Sequence, residues 1–384
     1  MSAQVRSVAK IKIFIAGFAA FAMFFGSGNL VFPLLLGSKS PTNWFYSSLG
    51  LAITGVLVPF LGLVAMTCLK GSQDAFFRWL GKVAGWIIPF LILLLIGPFG
   101  VIPRCIAVGY GAWQSFSEQT PLWLFALGCV AVIWLATFSN RKLVDVVGKY
   151  FTPFKLGALA IVIGGSFYFA ITSQQGIVSS SAAVSPATSF KESFFEGYHT
   201  MDLMAALFFG VSLVHYFKAK ENDIIPFKPT LIAMAIGMFL LFVVYMALVY
   251  LGAAYSSQIS HLPATQMLPE IASIALGETS DYLISFTLVV SCLTTAVALT
   301  AVSVDFICEK VAFLREKRQL TLVLCLIVTF IIAMTGFTGI MSLMAPILSW
   351  LYPFVIGLTI LNIAVHFYKI RKSSKLDHRS KKAA

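Results

Sequence analysis

The chain has 384 residues, of which 59% are hydrophobic and only 11% are charged, whereas soluble domains carry about 25% charged residues. The mean hydropathy is +0.91, and uncharged stretches long enough to cross a bilayer recur from end to end. This composition excludes a soluble globular protein and indicates a polytopic protein whose partner is the lipid bilayer. The net charge of +12 is attributed to basic cytoplasmic loops, so no nucleic-acid partner is expected.

The uncharged runs predict an all-α fold of about ten transmembrane helices. Their approximate spans are 12–36, 44–69, 83–112, 121–139, 151–172, 194–217, 229–254, 281–308, 319–336 and 340–367. The last two spans come from one uncharged stretch, which is divided at Thr335–Gly339 because it is too long for one crossing. We expect a single transmembrane domain over 1–384, with one five-helix repeat over 11–172, a second over 194–368, and a basic cytoplasmic tail over 369–384.

Basic residues fall at alternate ends of these helices. With the N-terminus placed in the cytoplasm, 23 of the 27 Lys and Arg residues lie on cytoplasmic segments. Lys39 and Lys191 fall outside, and Arg104 and Lys155 fall within helices. Cytoplasmic loops of membrane proteins carry an excess of Lys and Arg. The pattern therefore predicts that both termini are cytoplasmic.

Helix 1 contains a predicted break. Its apolar run, Phe21–Gly37, is interrupted by Gly26-Ser27-Gly28-Asn29 and again by Pro33. Glycine relaxes a helix, while Ser and Asn compete for backbone hydrogen bonds. Backbone groups freed inside a bilayer must face protein, water or a ligand. The break is thus interpreted as a mid-membrane binding site; the alternative is a kink that permits close helix packing.

The freed backbone groups at this break have opposite polarity. Amides around Ser27, Gly28 and Asn29 would begin the second half of the helix, and a helix N-terminus attracts a carboxylate. Carbonyls around Ala22 and Phe25 would end the first half, where a small cation is favoured.

Ten helices divide into two repeats of five. Because five is odd, the second repeat enters the membrane from the side opposite to the first. Helix 6 is then the counterpart of helix 1 and should also be broken. It begins with Phe194–Asp202, where Gly197 and Thr200 precede a carboxylate. Asp202 either lines a cavity or caps the second half of helix 6; capping is favoured here.

Helix 8 carries three hydroxyl groups on one face. Ser291, Thr294 and Thr295 follow i, i+3, i+4 spacing, so their oxygens are suited to complete a cation site with the helix 1 carbonyls. The alternative is that they bond the carbonyls of their own helix.

Two cations are predicted within helices. Arg104 is assigned to a gating or structural ion pair rather than to substrate contact. Lys155 is expected to extend to the cytoplasm, or else to act as a protonatable amine near the cation site with Asp305 as its partner.

Enzyme motifs are missing from the sequence. It contains neither HExxH nor GxxxxGK[ST], and the five histidines are scattered. We therefore expect no enzymatic activity and no cofactor, and any pumping must use an ion gradient.

Five segments resemble a known family: FFGSGNLVFPLLLG in helix 1, IGPFGVIPR in helix 3, FFEGYHTMD in helix 6, CLTTAVALT in helix 8 and LYPFVIGL in helix 10. They are similar to the bacterial branched-chain amino acid:cation symporters (LIVCS) of the amino acid–polyamine–cation superfamily, from about Phe14 to Leu361. The resemblance implies a LeuT-type five-plus-five inverted repeat with helices 1 and 6 broken. Relatives commonly carry two further helices after the tenth, which leaves the oligomeric state open.

The resemblance also implies roles for residues. The substrate carboxylate would lie at Gly26, Ser27, Gly28 and Asn29, and its amino group and side chain at Gly197, Tyr198, Thr200, Met201 and Asp202. Sodium would be held by the Ala22 and Phe25 carbonyls with Ser291, Thr294 and Thr295. The implied function is import of leucine, isoleucine or valine with sodium across the bacterial inner membrane by alternating access. The alternatives are proton coupling, a passive channel and, as a distant third, a membrane-embedded enzyme.

Overall fold

The computed structural model describes residues 3–139, 141–173, 184–217 and 227–383. All regular elements in these ranges are helices. The first half contains α1 (Ala3–Phe24), α2 (Ser27–Lys39), α3 (Trp44–Ala52), α4 (Val58–Cys68), α5 (Gln73–Phe77), α6 (Gly81–Ile96), α7 (Val101–Trp113), α8 (Leu122–Ser139) and α9 (Arg141–Thr172). The second half contains α10 (Pro186–Glu196), α11 (Asp202–Tyr216), α12 (Phe227–Ala254), α13 (Ser256–Ile259), α14 (Met267–Leu276), α15 (Glu278–Lys310), α16 (Arg318–Ala333) and α17 (Gly336–Ala383).

Helices lie over each of the ten predicted spans. Helix 1 is α1 with α2, helix 2 is α3 with α4, helix 3 is α6 with α7, helix 4 is α8, helix 5 is α9, helix 6 is α10 with α11, and helices 7, 8, 9 and 10 are α12, α15, α16 and α17. Within the described ranges, up to 7 spans are long and apolar enough to cross a membrane, and shorter apolar helices include 122–138, 157–172 and 318–333. The predicted division near Thr335 is also present, because α17 begins at Gly336.

Helix 1 is broken where the sequence predicts, over a shorter stretch. Only Phe25 and Gly26 lie outside the two helical segments, which meet at 71°. Ser27, Gly28 and Asn29 form the first turn of α2. The predicted second interruption at Pro33 is wrong: Pro33 lies inside α2, because a membrane helix tolerates proline where neighbouring groups satisfy the freed carbonyl.

Helix 6 is also broken, as the repeat requires. A 3₁₀ turn, Gly197–Thr200, follows α10, and Met201 then adopts a left-handed conformation with φ of 60° before α11 begins. The two helical segments meet at 42°. A residue with a Cβ is uncommon in this conformation, so Met201 marks a true interruption of the helix.

Helix 3 contains a third interruption that the sequence analysis did not predict. The continuous span 83–112 is instead divided between α6 and α7 by the turn 97–100. Pro98 lacks an amide hydrogen, and a Cβ at Gly100 would overlap the Leu95 carbonyl. The turn sets the position of α7, which carries Arg104.

The packing of the helices has the symmetry of an inverted repeat. α1 and α2 of helix 1 pack on helix 7, while α10 and α11 of helix 6 pack on helix 2. In the repeat, helix 1 corresponds to helix 6 and helix 2 to helix 7. Exchanging these counterparts turns the contact between helices 1 and 7 into the contact between helices 6 and 2. Helices 3 and 8, which are counterparts, pack on each other. The two broken helices are thereby brought together in the centre of the bundle.

Glycines permit the closest of these contacts. A Cβ at Gly252 of α12 would overlap the backbone carbonyl of Leu34 in α2. Because backbone atoms cannot move aside as a side-chain end can, we expect Gly252→Ala to destabilise the protein by about 1–3 kcal/mol. Thermal unfolding in detergent measures this, with Gly357→Ala as the matched control, since no atom lies within 4 Å of a Cβ there. Equal melting temperatures for the two variants would contradict the close packing of α12 on α2 at Gly252.

Candidate functional site

Asn29 joins the two breaks. Its Oδ1 accepts a hydrogen bond from the Gly26 amide at 3.2 Å, so it stabilises the start of its own helix. Its Nδ2 donates to Asp202 at the start of α11, 3.2 Å from Oδ1 and 3.0 Å from Oδ2. One side chain in the helix 1 break therefore holds the carboxylate of the helix 6 break.

Tyr245, from helix 7, completes this group. Its hydroxyl donates to Asp202 Oδ2 at 2.8 Å and accepts from Asn29 Nδ2. Each of the three side chains is 2% exposed. The capping role predicted for Asp202 is wrong: Met201 occupies the capping position, and the Asp202 carboxylate bonds to Asn29 and Tyr245 rather than to the first turn of α11. A carboxylate with these partners faces the other break.

Arg104 on α7 reaches the same region. Its Nη1 donates to the His199 carbonyl at 2.5 Å, and its guanidinium lies over the Phe32 ring, 5.4 Å from the centroid. The ion pair predicted for Arg104 is wrong, because no carboxylate among the described side chains lies within 4.0 Å of it. The turn in helix 3 instead directs this cation to the centre of the bundle.

Helices 2 and 10 enclose the helix 6 break from the other side. Tyr352 of α17 stacks on Tyr198, with ring centroids 4.4 Å apart. The Tyr352 hydroxyl accepts from the Leu203 amide at 3.2 Å and donates to the Thr54 carbonyl at 3.4 Å. Thr54 lies in a π-helical turn, Ile53–Leu57, which changes the hydrogen-bond spacing of helix 2 and exposes a carbonyl to other donors.

The remaining residues predicted for substrate also lie at the two breaks. Ser27 Oγ contacts Cys105 Sγ at 3.3 Å. Thr200 Oγ1 donates to the Gly197 carbonyl at 2.9 Å and accepts from the Asp202 amide at 3.4 Å. A Cβ at Gly197 would overlap the Thr54 hydroxyl, so the break packs directly on helix 2.

The residues predicted for sodium are only partly brought together. Thr295 lies beside the helix 1 break, with its Cγ2 3.9 Å from a Cβ built at Gly26. The Thr294 and Thr295 hydroxyls donate to the Ser291 carbonyl at 2.9 and 3.0 Å, as the alternative interpretation expects. Ala22 and Phe25 lie at the end of α1 and in the break. Each Thr oxygen retains a lone pair, so the cation site stays a prediction.

The two roles predicted for Lys155, the other cation within a helix, stay predictions. The side chain of Lys155 lies outside the described residues. Asp305, its expected partner, forms an ion pair with Arg318 instead, with Nε and Oδ1 3.0 Å apart.

Tyr245 and Tyr352 were missed as site residues. A tyrosine in an apolar helix carries a hydroxyl that needs a partner when it is buried, and this property is the signal that could have identified them. Tyr352 also falls within the LYPFVIGL segment.

The family profile described as "Branched-chain amino acid transport protein" matches residues 9–377. The chain belongs to this family. Its relatives include the "Branched-chain amino acid transport system 3 carrier protein" of Pseudomonas aeruginosa, which is 28% identical and matches 91% of this chain and 80% of the relative. The "Branched-chain amino acid permease BraB" of Bacillus subtilis is 30% identical and matches 93% of this chain and 81% of the permease. These names describe transporters, which supports the predicted lack of enzymatic activity.

Solved structures show the same fold. The nucleobase-cation-symport-1 family transporter Mhp1, in a closed conformation with bromovinylhydantoin, has a TM-score of 0.67 at 12% identity, covering 91% of this chain and 77% of Mhp1. MhsT in complex with L-phenylalanine has a TM-score of 0.60 at 16% identity, covering 91% of this chain and 88% of MhsT. The family and the all-α, LeuT-type fold predicted from the sequence are therefore confirmed.

Proposed function

We propose that this protein is a secondary active symporter that imports leucine, isoleucine or valine with sodium by alternating access. Family membership supports branched-chain amino acid transport. The observation that carries the proposal is the contact between the two breaks, where Asn29 of helix 1 bonds Asp202 of helix 6. The distribution of basic residues supports cytoplasmic termini, and the bacterial relatives support a location in the bacterial inner membrane.

Each part of the substrate has a group of matching chemistry. The Asp202 carboxylate would receive the ammonium group, as a buried anion needs a cationic or hydrogen-bonding partner. The amides of Ser27, Gly28 and Asn29 at the start of α2 would receive the carboxylate. Phe25 and Met201 are buried within the breaks and are apolar, which suits an aliphatic side chain.

Coupling would arise because substrate and sodium share the helix 1 break. The Ala22 and Phe25 carbonyls, with Ser291, Thr294 and Thr295, would hold the ion on one side of Gly26. The amides that would bind substrate begin on its other side. Filling either site orders the same short segment, so each ligand raises the affinity for the other.

Transport by purified protein in proteoliposomes tests this proposal. An imposed sodium gradient should drive labelled leucine inward above its equilibrium level, and excess unlabelled leucine inside should accelerate entry by counterflow. Uptake that ignores sodium but follows a pH gradient would overturn sodium coupling. Failure of counterflow, together with uptake that does not saturate, would instead indicate a passive channel.

Proton coupling is the second candidate, and Asp202 favours it. This carboxyl is 2% exposed and no cationic group among the described side chains lies within 4.0 Å. A buried carboxyl can hold a proton in one transport state and release it in another. The pH-gradient arm of the same experiment decides between the two ions.

The sodium site has a direct test. Thr294→Ala with Thr295→Ala removes two of the hydroxyl oxygens proposed to hold sodium, and we expect the sodium concentration for half-maximal uptake to rise about tenfold, the equivalent of about 1.4 kcal/mol. The matched control is Thr287→Ala with Thr300→Ala, whose hydroxyls donate to carbonyls four residues earlier in α15, as that of Thr295 does. An unchanged sodium dependence in the folded test variant would refute this site.

A further inference from the structure

We propose that Arg104 is a second binding group for the substrate carboxylate, acting together with the N-terminus of α2. This inference rests on the proposed function, since it concerns how the same site recognises an α-amino acid. It assigns a specificity role to a residue of helix 3, which lies outside both broken helices.

The guanidinium of Arg104 packs directly on the first turn of α2. A Cβ built at Gly28 would lie 2.7 Å from Nη2 and 2.8 Å from Cζ. On its other side, Nη1 donates to the His199 carbonyl in the helix 6 break. Arg104 therefore touches both breaks at the point where the α2 amides begin.

No carboxylate among the described side chains forms an ion pair with this cation. Arg104 is 2% exposed, and its Nε is buried with no hydrogen-bond partner. The Gly26 cap supplies no side-chain acceptor to the amides of α2, and a helix N-terminus carries partial positive charge. Two positive features are thus buried side by side. A buried charge is costly unless it is paired and hydrogen-bonded, so the site is electrostatically incomplete without a bound anion.

Asp202 does not fill this role. It attracts Arg104 electrostatically, but it lies beyond ion-pair distance and bonds to Asn29 and Tyr245 instead. The centre of the bundle consequently holds a cation and an anion that do not touch. An α-amino acid carries a carboxylate and an ammonium group on one carbon, so it complements both. The forked donors of arginine suit a carboxylate in particular.

Competition against labelled leucine uptake tests the assignment. L-Leucinamide keeps the ammonium group and the side chain but replaces the carboxylate with a neutral amide. We expect leucine to compete about 10- to 100-fold better than leucinamide in the wild type, the factor expected for hydrogen bonds to charged groups. Arg104→Gln should reduce this ratio to within about threefold, mainly by weakening the binding of leucine. The matched control is Arg78→Gln, an exposed arginine over the Trp79 ring, which should keep the wild-type ratio.

The outcomes separate this inference from the proposed function. If the wild type accumulates no branched-chain amino acid, the proposed function fails. If it accumulates leucine but leucinamide competes equally well, carboxylate recognition fails at both Arg104 and the α2 amides, while the transport function stands. If Arg104→Gln keeps the wild-type ratio, only the Arg104 assignment fails. The wild-type comparison needs no folded variant, and Arg104→Lys, which keeps the charge but loses the fork, should give an intermediate ratio.

A small inorganic anion is the other possible occupant of the site. Replacing chloride with gluconate on both sides of the membrane should leave leucine uptake unchanged. A requirement for chloride would overturn the assignment to substrate.

Discussion

Replacing Asp202 with Asn is expected to abolish leucine accumulation. The substitution keeps the shape of the side chain but removes the negative charge proposed to receive the substrate ammonium group. It also removes the carboxylate that accepts hydrogen bonds from Asn29 and Tyr245, and hydrogen bonds to a charged group contribute about 1.5–3 kcal/mol each. An amide cannot accept from Asn29 and Tyr245 with both of its polar atoms. We therefore expect at least about a 100-fold loss of uptake.

The measurement is sodium-driven uptake in proteoliposomes, preceded by a check that the purified variant is monodisperse in detergent. Asp305→Asn is the matched control, because this carboxylate pairs with Arg318 near the end of α15 and is 44% exposed. The control should transport leucine at close to the wild-type rate, since exposed ion pairs contribute little. Wild-type accumulation by folded Asp202→Asn would remove Asp202 from the site.

Much of the fold could be predicted from sequence because the bilayer imposes strong local rules. Every spanning segment must be apolar and helical, so the number of helices follows from hydropathy. The break near Gly26 needed only local composition, and the break near Gly197 followed from symmetry once the first was placed. The interruption predicted at Pro33 was wrong because the sequence alone does not show which prolines are accommodated by neighbouring helices. The turn after Ile96 was missed because its Gly and Pro residues lie within an otherwise apolar run.

The site was less predictable because its contacts join distant helices. Asn29 and Asp202 were both named from the sequence, yet their hydrogen bond connects positions 173 residues apart. Tyr245 and Tyr352 belong to helices with no break, so no local pattern distinguishes them from core aromatic residues. Arg104 was assigned an ion pair because a cation inside a membrane helix normally has one. The structure shows a cation held by a backbone carbonyl, which leaves the guanidinium free to meet an anion.

Gly28→Ala is expected to weaken leucine binding while leaving the fold intact. Gly28 lies in the first turn of α2 with no positive φ, so alanine is compatible with the backbone. Its Cβ would lie 2.7 Å from Arg104 Nη2 and 3.1 Å from the Phe32 ring. The end of a long side chain can move more easily than backbone. The guanidinium should therefore be displaced from α2, and the half-saturating leucine concentration should rise about tenfold, the equivalent of about 1.4 kcal/mol.

Combining this change with Arg104→Gln identifies its mechanism. If Gly28→Ala acts by displacing the guanidinium, adding it to Arg104→Gln should raise the half-saturating concentration little further, because changes that remove the same contact are not additive. Gly128→Ala is the control, since no atom lies within 4 Å of a Cβ at that position, and it should behave as wild type. Fully additive effects would show that Gly28 acts independently of Arg104, through the approach of substrate to the α2 amides. Non-additive effects would connect helix 3 to the helix 1 break, so that a residue outside both broken helices sets the affinity of the site between them.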